Sequence, residues 1–213
     1  HLHNHSHDSI LEGLPRPKDY VRTALELGMK AIAITDSWNV HGCHELYKAC
    51  LDEWIKPILW AEVFVQSWLN DDLSHKLVLL AKSFEGYKNI ISLITKWSLD
   101  NPGRIPKIDI EYLREFSKDI ICLSGPISSE IAFYILSWKS DEDVVERIKM
   151  YQDIFGVENY YLELLYHNDI PKQQFVTDKL IEFHKQHGFQ VVATNDCYYL
   201  NKDDNSTQDI IMA

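Results

Sequence analysis

Short apolar runs alternate with helical periodicity along most of the chain. Seven runs have the composition of β-strands, at residues 1–6, 31–35, 58–65, 76–81, 119–124, 159–164 and 190–194. Most are apolar at nearly every position, which is typical of parallel strands buried on both faces. The pattern therefore predicts an α/β fold in which helices connect buried strands.

Three of the connecting helices have recognisable ends. Proline or capping residues and a closing glycine delimit Pro17–Gly28, Ser140–Gly156 and Pro171–Gly188. The segment 66–75 is too short for a helical crossover and predicts a loop or hairpin, and residues 101–106 predict a loop. Seven strands with mostly helical crossovers favour a (β/α) barrel, with an open doubly wound sheet as the alternative.

Composition limits the function classes. The chain has 213 residues, of which 46% are apolar, and it carries a net charge of −11 without a Lys/Arg cluster, which argues against direct binding of nucleic acid. It has no apolar run of membrane-spanning length and no signal peptide, so we expect a cytoplasmic protein with no membrane partner. The sequence starts within a polar–apolar alternation and stops within a helical pattern. We therefore expect a single domain, residues 1–213, truncated at both ends from a longer chain.

Histidines alternate with other residues at the start of the chain, at positions 1, 3, 5 and 7. On a strand these imidazoles would share one face, and two of them at i and i+2 can reach one metal ion. A purely structural role fits the pattern equally well. Glu62 lies inside an apolar run, where a charge is costly unless it is paired or metal-bound, and Asp36 and Asp196 follow strands. The combination indicates a metal site, while no catalytic residue can be assigned.

The sequence resembles the PHP (polymerase and histidinol phosphatase) domain, in the form found at the amino end of bacterial DNA polymerase III alpha subunits. The resemblance spans nearly the whole chain and is carried by five stretches: His1–Gly13, Ala31–Asp36, Glu45–Glu62, Leu79–Asn89 and Val192–Leu200. It implies a distorted seven-stranded (β/α) barrel of PHP type. Intact members hold a cluster of metal ions and hydrolyse phosphate esters, because the ions activate water and neutralise charge on the phosphate.

The resemblance also implies which residues hold a divalent metal ion (Zn, Mn or Mg). His3 and His5 match the paired histidines of the family, Glu62 matches its carboxylate, and Asp196 matches its late aspartate. Glu12 replaces an aspartate that usually precedes the glycine. The implied metal ligands are therefore His3, His5, Glu12, Glu62 and Asp196.

Four other ligand positions depart from the family pattern. Three histidines are replaced by Ser37, Lys76 and Tyr198, and a cysteine is replaced by Pro126. An ammonium inside a multi-cation site opposes metal binding. We therefore expect an incomplete or absent cluster, with one residual ion on His3, His5 and a carboxylate as the favoured state.

The resemblance implies a role in DNA replication, as the PHP domain of a DNA-directed DNA polymerase (a nucleotidyltransferase). In some such polymerases this site is a 3′–5′ exonuclease, and in others it is a platform for the proofreading exonuclease subunit. We expect a mainly structural and partner-binding domain, with the rest of the polymerase chain in cis, that subunit as a possible partner, and DNA contacted through the parent protein. The alternatives are an active metal-dependent phosphoesterase or exonuclease, and a non-enzymatic domain with one structural metal.

Overall fold

The computed structural model describes residues 1–67, 73–100, 107–167 and 170–212. The helices are α1 (Pro17–Glu26), α2 (His41–Asp52), α3 (Phe84–Asp100), α4 (Ile110–Phe116), α5 (Glu130–Leu136), α6 (Asp141–Phe155), α7 (Pro171–His187) and α8 (Asn205–Met212). The strands are β1 (Ala31–Ile34), β2 (Lys56–Gln66), β3 (Ser74–Ala81), β4 (Ile120–Leu123), β5 (Tyr160–Leu165) and β6 (Val191–Thr194). None of the described helices is long and apolar enough to cross a membrane.

The predicted α/β class is confirmed. The strands form a six-stranded sheet in the order β1-β2-β3-β4-β5-β6. β1 pairs with β2 in parallel, β3 pairs with β4 antiparallel, and β4, β5 and β6 are mutually parallel neighbours. Residues 68–72 and 101–106, where connecting loops are predicted, lie outside the described residues.

The prediction of a strand at residues 1–6 is wrong. This segment forms a single bridge, between Asn4 and Cys197, instead of a ladder. Asn4 is held on its other side by Thr35, whose amide donates to the Asn4 carbonyl at 2.6 Å. The segment therefore has strand-like neighbours on both sides but too few ladder bonds for a strand.

The chain divides into two compact units. The first comprises His1–Glu62 and Asn195–Ala213. Its core packs one face of α1 and α2 against β1, through Tyr20, Val21, Ala24, Ile32, Ile34, Leu46, Cys50 and Ile55. The predicted ends of α1 are confirmed: Pro17 opens the helix, and Gly28 adopts a positive φ of 69° just beyond it, as the left-handed position after a helix requires.

The second unit comprises Val63–Thr194. Its buried residues include the stacked rings of Tyr151 and Tyr160, whose centroids are 5.3 Å apart. The predicted capping box is present at the start of α6, where Ser140 and Asp143 bond reciprocally to each other's backbone amides. The local signals that predict helix ends therefore hold in both units.

Candidate metal centre

The backbone of His3–His5 is fixed by two neighbouring segments of the first unit. The His5 amide donates to the Cys197 carbonyl at 2.7 Å, and the Cys197 amide donates to the His3 carbonyl at 3.1 Å. The Tyr20 hydroxyl donates to the carbonyls of both His5 and Cys197, at 2.9 and 3.2 Å. These bonds place the histidine segment beside the segment that carries Asp196.

Two imidazoles and two carboxylates converge at this point. His3 Nε2 lies 3.3 Å from Glu62 Oε2 and 3.5 Å from Asp196 Oδ1. His5 Nε2 lies 3.3 Å from the same Asp196 oxygen and 4.0 Å from Glu62 Oε2. Both histidines and Glu62 are fully buried, whereas the Asp196 side chain is 15% exposed. Residues that are far apart in sequence thus share one buried polar centre.

The donor set fits a divalent metal ion. Ligand atoms of His3, His5 and Asp196 all lie within 4.8 Å of one another. Two imidazole nitrogens with a carboxylate oxygen are a set that suits zinc and other first-row ions. His5 Nε2 is buried and makes no hydrogen bond within the described residues. A buried nitrogen in that state is costly unless an ion or another group engages it.

Glu62 is held in the centre by the pairing of two backbones. It lies on β2, and an isolated parallel bridge joins it to Ser37, just beyond β1. The Glu62 amide donates to the Asp36 carbonyl at 3.3 Å, and the Trp38 amide donates to the Glu62 carbonyl at 2.9 Å. Parallel pairing therefore continues past β1 far enough to bring the Glu62 carboxylate to the histidines.

Ser37 replaces one expected histidine and bonds to two acids of the predicted site. Its hydroxyl donates to Glu12 Oε2 at 2.6 Å and lies 3.3 Å from Glu62 Oε1. Glu12 is partly buried and is connected to the centre through this hydroxyl. A neutral hydroxyl thus connects two carboxylates where the resemblance predicts a metal-ligating imidazole.

Tyr198 replaces a second expected histidine and covers one side of the centre. Its ring stacks on His5 with centroids 4.4 Å apart and planes 2° from parallel. Its hydroxyl donates to Asp196 Oδ2 at 3.3 Å. Burial and the nearby Asp196 carboxylate raise the pKa of the Tyr198 phenol well above its ordinary value, so it remains a neutral donor.

Asp36 does not join the ligand cluster, although it follows a strand as Asp196 does. Its Oδ1 accepts the Ser6 amide at 2.7 Å and the Ser9 hydroxyl at 2.8 Å, and its Oδ2 accepts the Ser6 hydroxyl at 2.8 Å. Burial raises the pKa of Asp36, while the hydrogen bonds from Ser6 and Ser9 oppose the rise. The aspartate therefore holds the loop that follows His5.

The other polar candidates have different surroundings. Lys76 and Pro126 belong to the second unit, where Lys76 Nζ lies 5.5 Å from the ring centroid of Phe64. His75 is buried in the same unit and contacts the ring of Phe133 at 5.1 Å between centroids. Of the four alternating histidines, His1 and His7 are exposed. The predicted common face is thus limited to His3 and His5.

Sequence reasoning missed Ser9 and Tyr20. Ser9 Oγ lies 3.0 Å from His5 Nδ1, and the Tyr20 hydroxyl joins the two segments of the site. A serine in a loop and a tyrosine on a helix carry no pattern that separates such roles from ordinary surface or core positions. Only the folded arrangement shows them.

Residues 1–167 match the PHP domain family. The chain belongs to this family, as the resemblance of its histidines and acids predicts. Several curated relatives are DNA polymerase III alpha subunits. This chain is 33% identical to the subunit of Treponema pallidum, 34% to that of Borreliella burgdorferi and 32% to that of Aquifex aeolicus, each over 100% of this chain. This chain spans only 19% of each of those relatives.

Solved structures share the fold. A putative metal-dependent phosphoesterase from Bifidobacterium adolescentis gives a TM-score of 0.63 at 12% identity, over 100% of this chain and 96% of that one. An amidohydrolase from Chromobacterium violaceum gives 0.57 at 13% identity, over 99% and 95% of the two chains. At such identities the likeness concerns the fold alone.

Proposed function

We propose that this chain is the PHP domain of a bacterial DNA polymerase III alpha subunit and acts in DNA replication. It is one domain, residues 1–213, of a longer cytoplasmic polymerase chain. In this proposal the fold is the distorted seven-stranded barrel of the family. The 33% identity to a polymerase alpha subunit over the full chain supports this assignment.

The metal centre of this domain is partly degraded. His3, His5, Glu62 and Asp196 hold at most one divalent ion (zinc, manganese or magnesium), and Glu12 supports the centre from its edge. One observation carries the proposal: the hydroxyls of Ser37 and Tyr198 donate to carboxylates of the site where the family has ligating histidines. Such hydroxyls stabilise the acids without the further ions of an intact cluster.

The domain then serves mainly as a structural and partner-binding element. Its partners are the rest of the polymerase chain in cis and, as a further candidate, the proofreading exonuclease subunit. A net charge of −11 leaves the binding of DNA to other parts of the polymerase. When a metal ion is bound, the chemistry that such a site would supply is activation of a water molecule.

The proposal predicts no hydrolytic activity above background. The chain, incubated with manganese, zinc or magnesium, is expected to release no nucleotides from 3′ ends of DNA and no phosphate from a generic monoester. The matched control is His3→Ala, which should give the same background. Ion-stimulated hydrolysis that His3→Ala abolishes would contradict the proposal and establish an active phosphoesterase or 3′–5′ exonuclease instead.

A further inference from the structure

We propose that Ser9 and Asp36 form a relay that fixes His5 in its Nδ1–H tautomer, with the Nε2 lone pair facing the centre. They are positioning residues, since neither of them is among the proposed ligands. The role inferred for this tautomer, which is to present a lone pair to a metal ion, rests on the proposed function. Its first test nevertheless requires no ion.

Asp36 is the acceptor at the end of the relay. Its Oδ1 receives both the Ser6 amide, at 2.7 Å, and the Ser9 hydroxyl, at 2.8 Å. An oxygen that accepts a backbone N–H is an acceptor in either protonation state, because a proton on the carboxyl group would lie on Oδ2. The single hydroxyl proton of Ser9 is therefore directed at Asp36.

Ser9 consequently presents only lone pairs to its other neighbours. Its Oγ accepts the Ser37 amide at 3.0 Å and lies 3.0 Å from His5 Nδ1. A hydroxyl that has already donated its proton can only accept from an imidazole nitrogen. A hydrogen bond between Ser9 and His5 thus requires the proton to be on Nδ1.

Ser37 leads to the same conclusion. Its Oγ is also near His5 Nδ1, at 3.4 Å, but its proton goes to Glu12 Oε2 at 2.6 Å. Both hydroxyls that face Nδ1 therefore donate to carboxylates and offer lone pairs to the imidazole. The arrangement leaves no donor for an unprotonated Nδ1 among these contacts.

The opposite nitrogen of His5 faces the two carboxylates of the centre, and a lone pair there suits these acids when a cation lies between them. Nε2 is buried, lies 3.3 Å from Asp196 Oδ1, and makes no hydrogen bond within the described residues. In the neutral Nδ1–H tautomer Nε2 carries a lone pair, which is the form that binds a metal ion. Outer partners of this kind fix tautomer and ring orientation in many metal sites, and their removal typically weakens metal affinity by about 10- to 100-fold.

The test combines tautomer spectroscopy with metal titration. Chelator-treated chain labelled with ¹⁵N-histidine is studied by long-range ¹H–¹⁵N correlation, at a pH above the ordinary histidine range. We expect His5 of the wild type to be protonated on Nδ1. Ser9→Ala should populate the Nε2–H tautomer and lower the affinity for zinc by about 10- to 100-fold, and Ser9→Thr should restore both.

Ser6→Ala is the matched control. It removes another hydroxyl that donates to the same Asp36 carboxylate. The hydroxyls of Ser9 and Ser37, which face His5 Nδ1, stay in place, so the tautomer should not change. A wild-type His5 protonated on Nε2, or on both nitrogens, would overturn the inference even if Ser9→Ala did not fold. An unchanged tautomer and zinc affinity in folded Ser9→Ala would also overturn it. If His5 carries its proton on Nδ1 but the chain binds no zinc, the proposed metal site is contradicted and the tautomer inference stands.

Discussion

Gly13→Ala is expected to disrupt the metal centre and to lower the free energy of unfolding by about 3 kcal/mol. Gly13 is buried, and a Cβ at this position would overlap the Ser6 carbonyl oxygen and lie 2.7 Å from the His5 carbonyl oxygen. Both obstacles are backbone atoms, so the loop between His5 and Gly13 must move. Urea denaturation and zinc titration of the variant measure the two effects.

Gly28→Ala provides the control for this substitution. Its Cβ would meet nothing within 4 Å, but Gly28 has a φ of 69°, which is unfavourable for alanine. We expect a loss of about 1 kcal/mol and an unchanged affinity for zinc. A Gly13→Ala variant with wild-type stability and zinc affinity would show that the loop tolerates displacement.

His3→Ala is expected to have the second large effect. His3 and Glu62 are both fully buried. His3 Nε2 lies 3.3 Å from Glu62 Oε2 and 3.5 Å from Asp196 Oδ1. Removing the imidazole leaves His5 to face both acids, from 3.3 Å at Asp196 and 4.0 Å at Glu62. It also opens a cavity beside Trp60, whose ring centroid lies 6.2 Å from that of His3. The free energy of unfolding should fall by about 3 kcal/mol, and ion binding should be lost.

A double-mutant cycle with Glu62 separates the lost interaction between His3 and Glu62 from the cost of the cavity. Glu62→Gln removes the buried charge, so the combined variant should be less destabilised than the sum of the single changes. His44→Ala, on the exposed face of α2, is the control and should change neither stability nor ion binding. Additive losses in the cycle would mean that His3 and Glu62 do not interact energetically.

The sequence predicts those parts of the fold that depend on neighbours along the chain. The helix beginning at Pro17 and the capping box of Ser140 with Asp143 are found as expected, because caps act within one turn. The segment 1–6 is different: its alternation fits a strand, but a ladder needs partners from distant segments. Here those partners meet it only around Asn4.

Part of the site is also readable from the sequence. Its histidines and acids are identified by their resemblance to the PHP family, and His3, His5, Glu62 and Asp196 do converge. Asp36 has the same position relative to a strand as Asp196, yet its carboxylate is held by Ser6 and Ser9. Which acid faces the centre depends on loop geometry, and that geometry is not encoded in spacing.

The departures from the family pattern acquire a physical meaning in the structure. Ser37 and Tyr198 each place a hydroxyl on a carboxylate of the centre. Hydrogen bonds of this kind compensate part of the cost of burying the acids. Because the resemblance predicts a ligating imidazole at each of these two positions, we expect the site to hold fewer ions than an intact cluster.

Elemental analysis of the chain tests the central claim most directly. The chain is stripped with chelator, reloaded separately with zinc, manganese and magnesium, and dialysed before the metal content is measured. The account predicts that one ion per chain is the highest content reached, and that Asp196→Asn and His5→Ala each abolish it. Two or more ions per chain, or one ion that survives both substitutions, would contradict it.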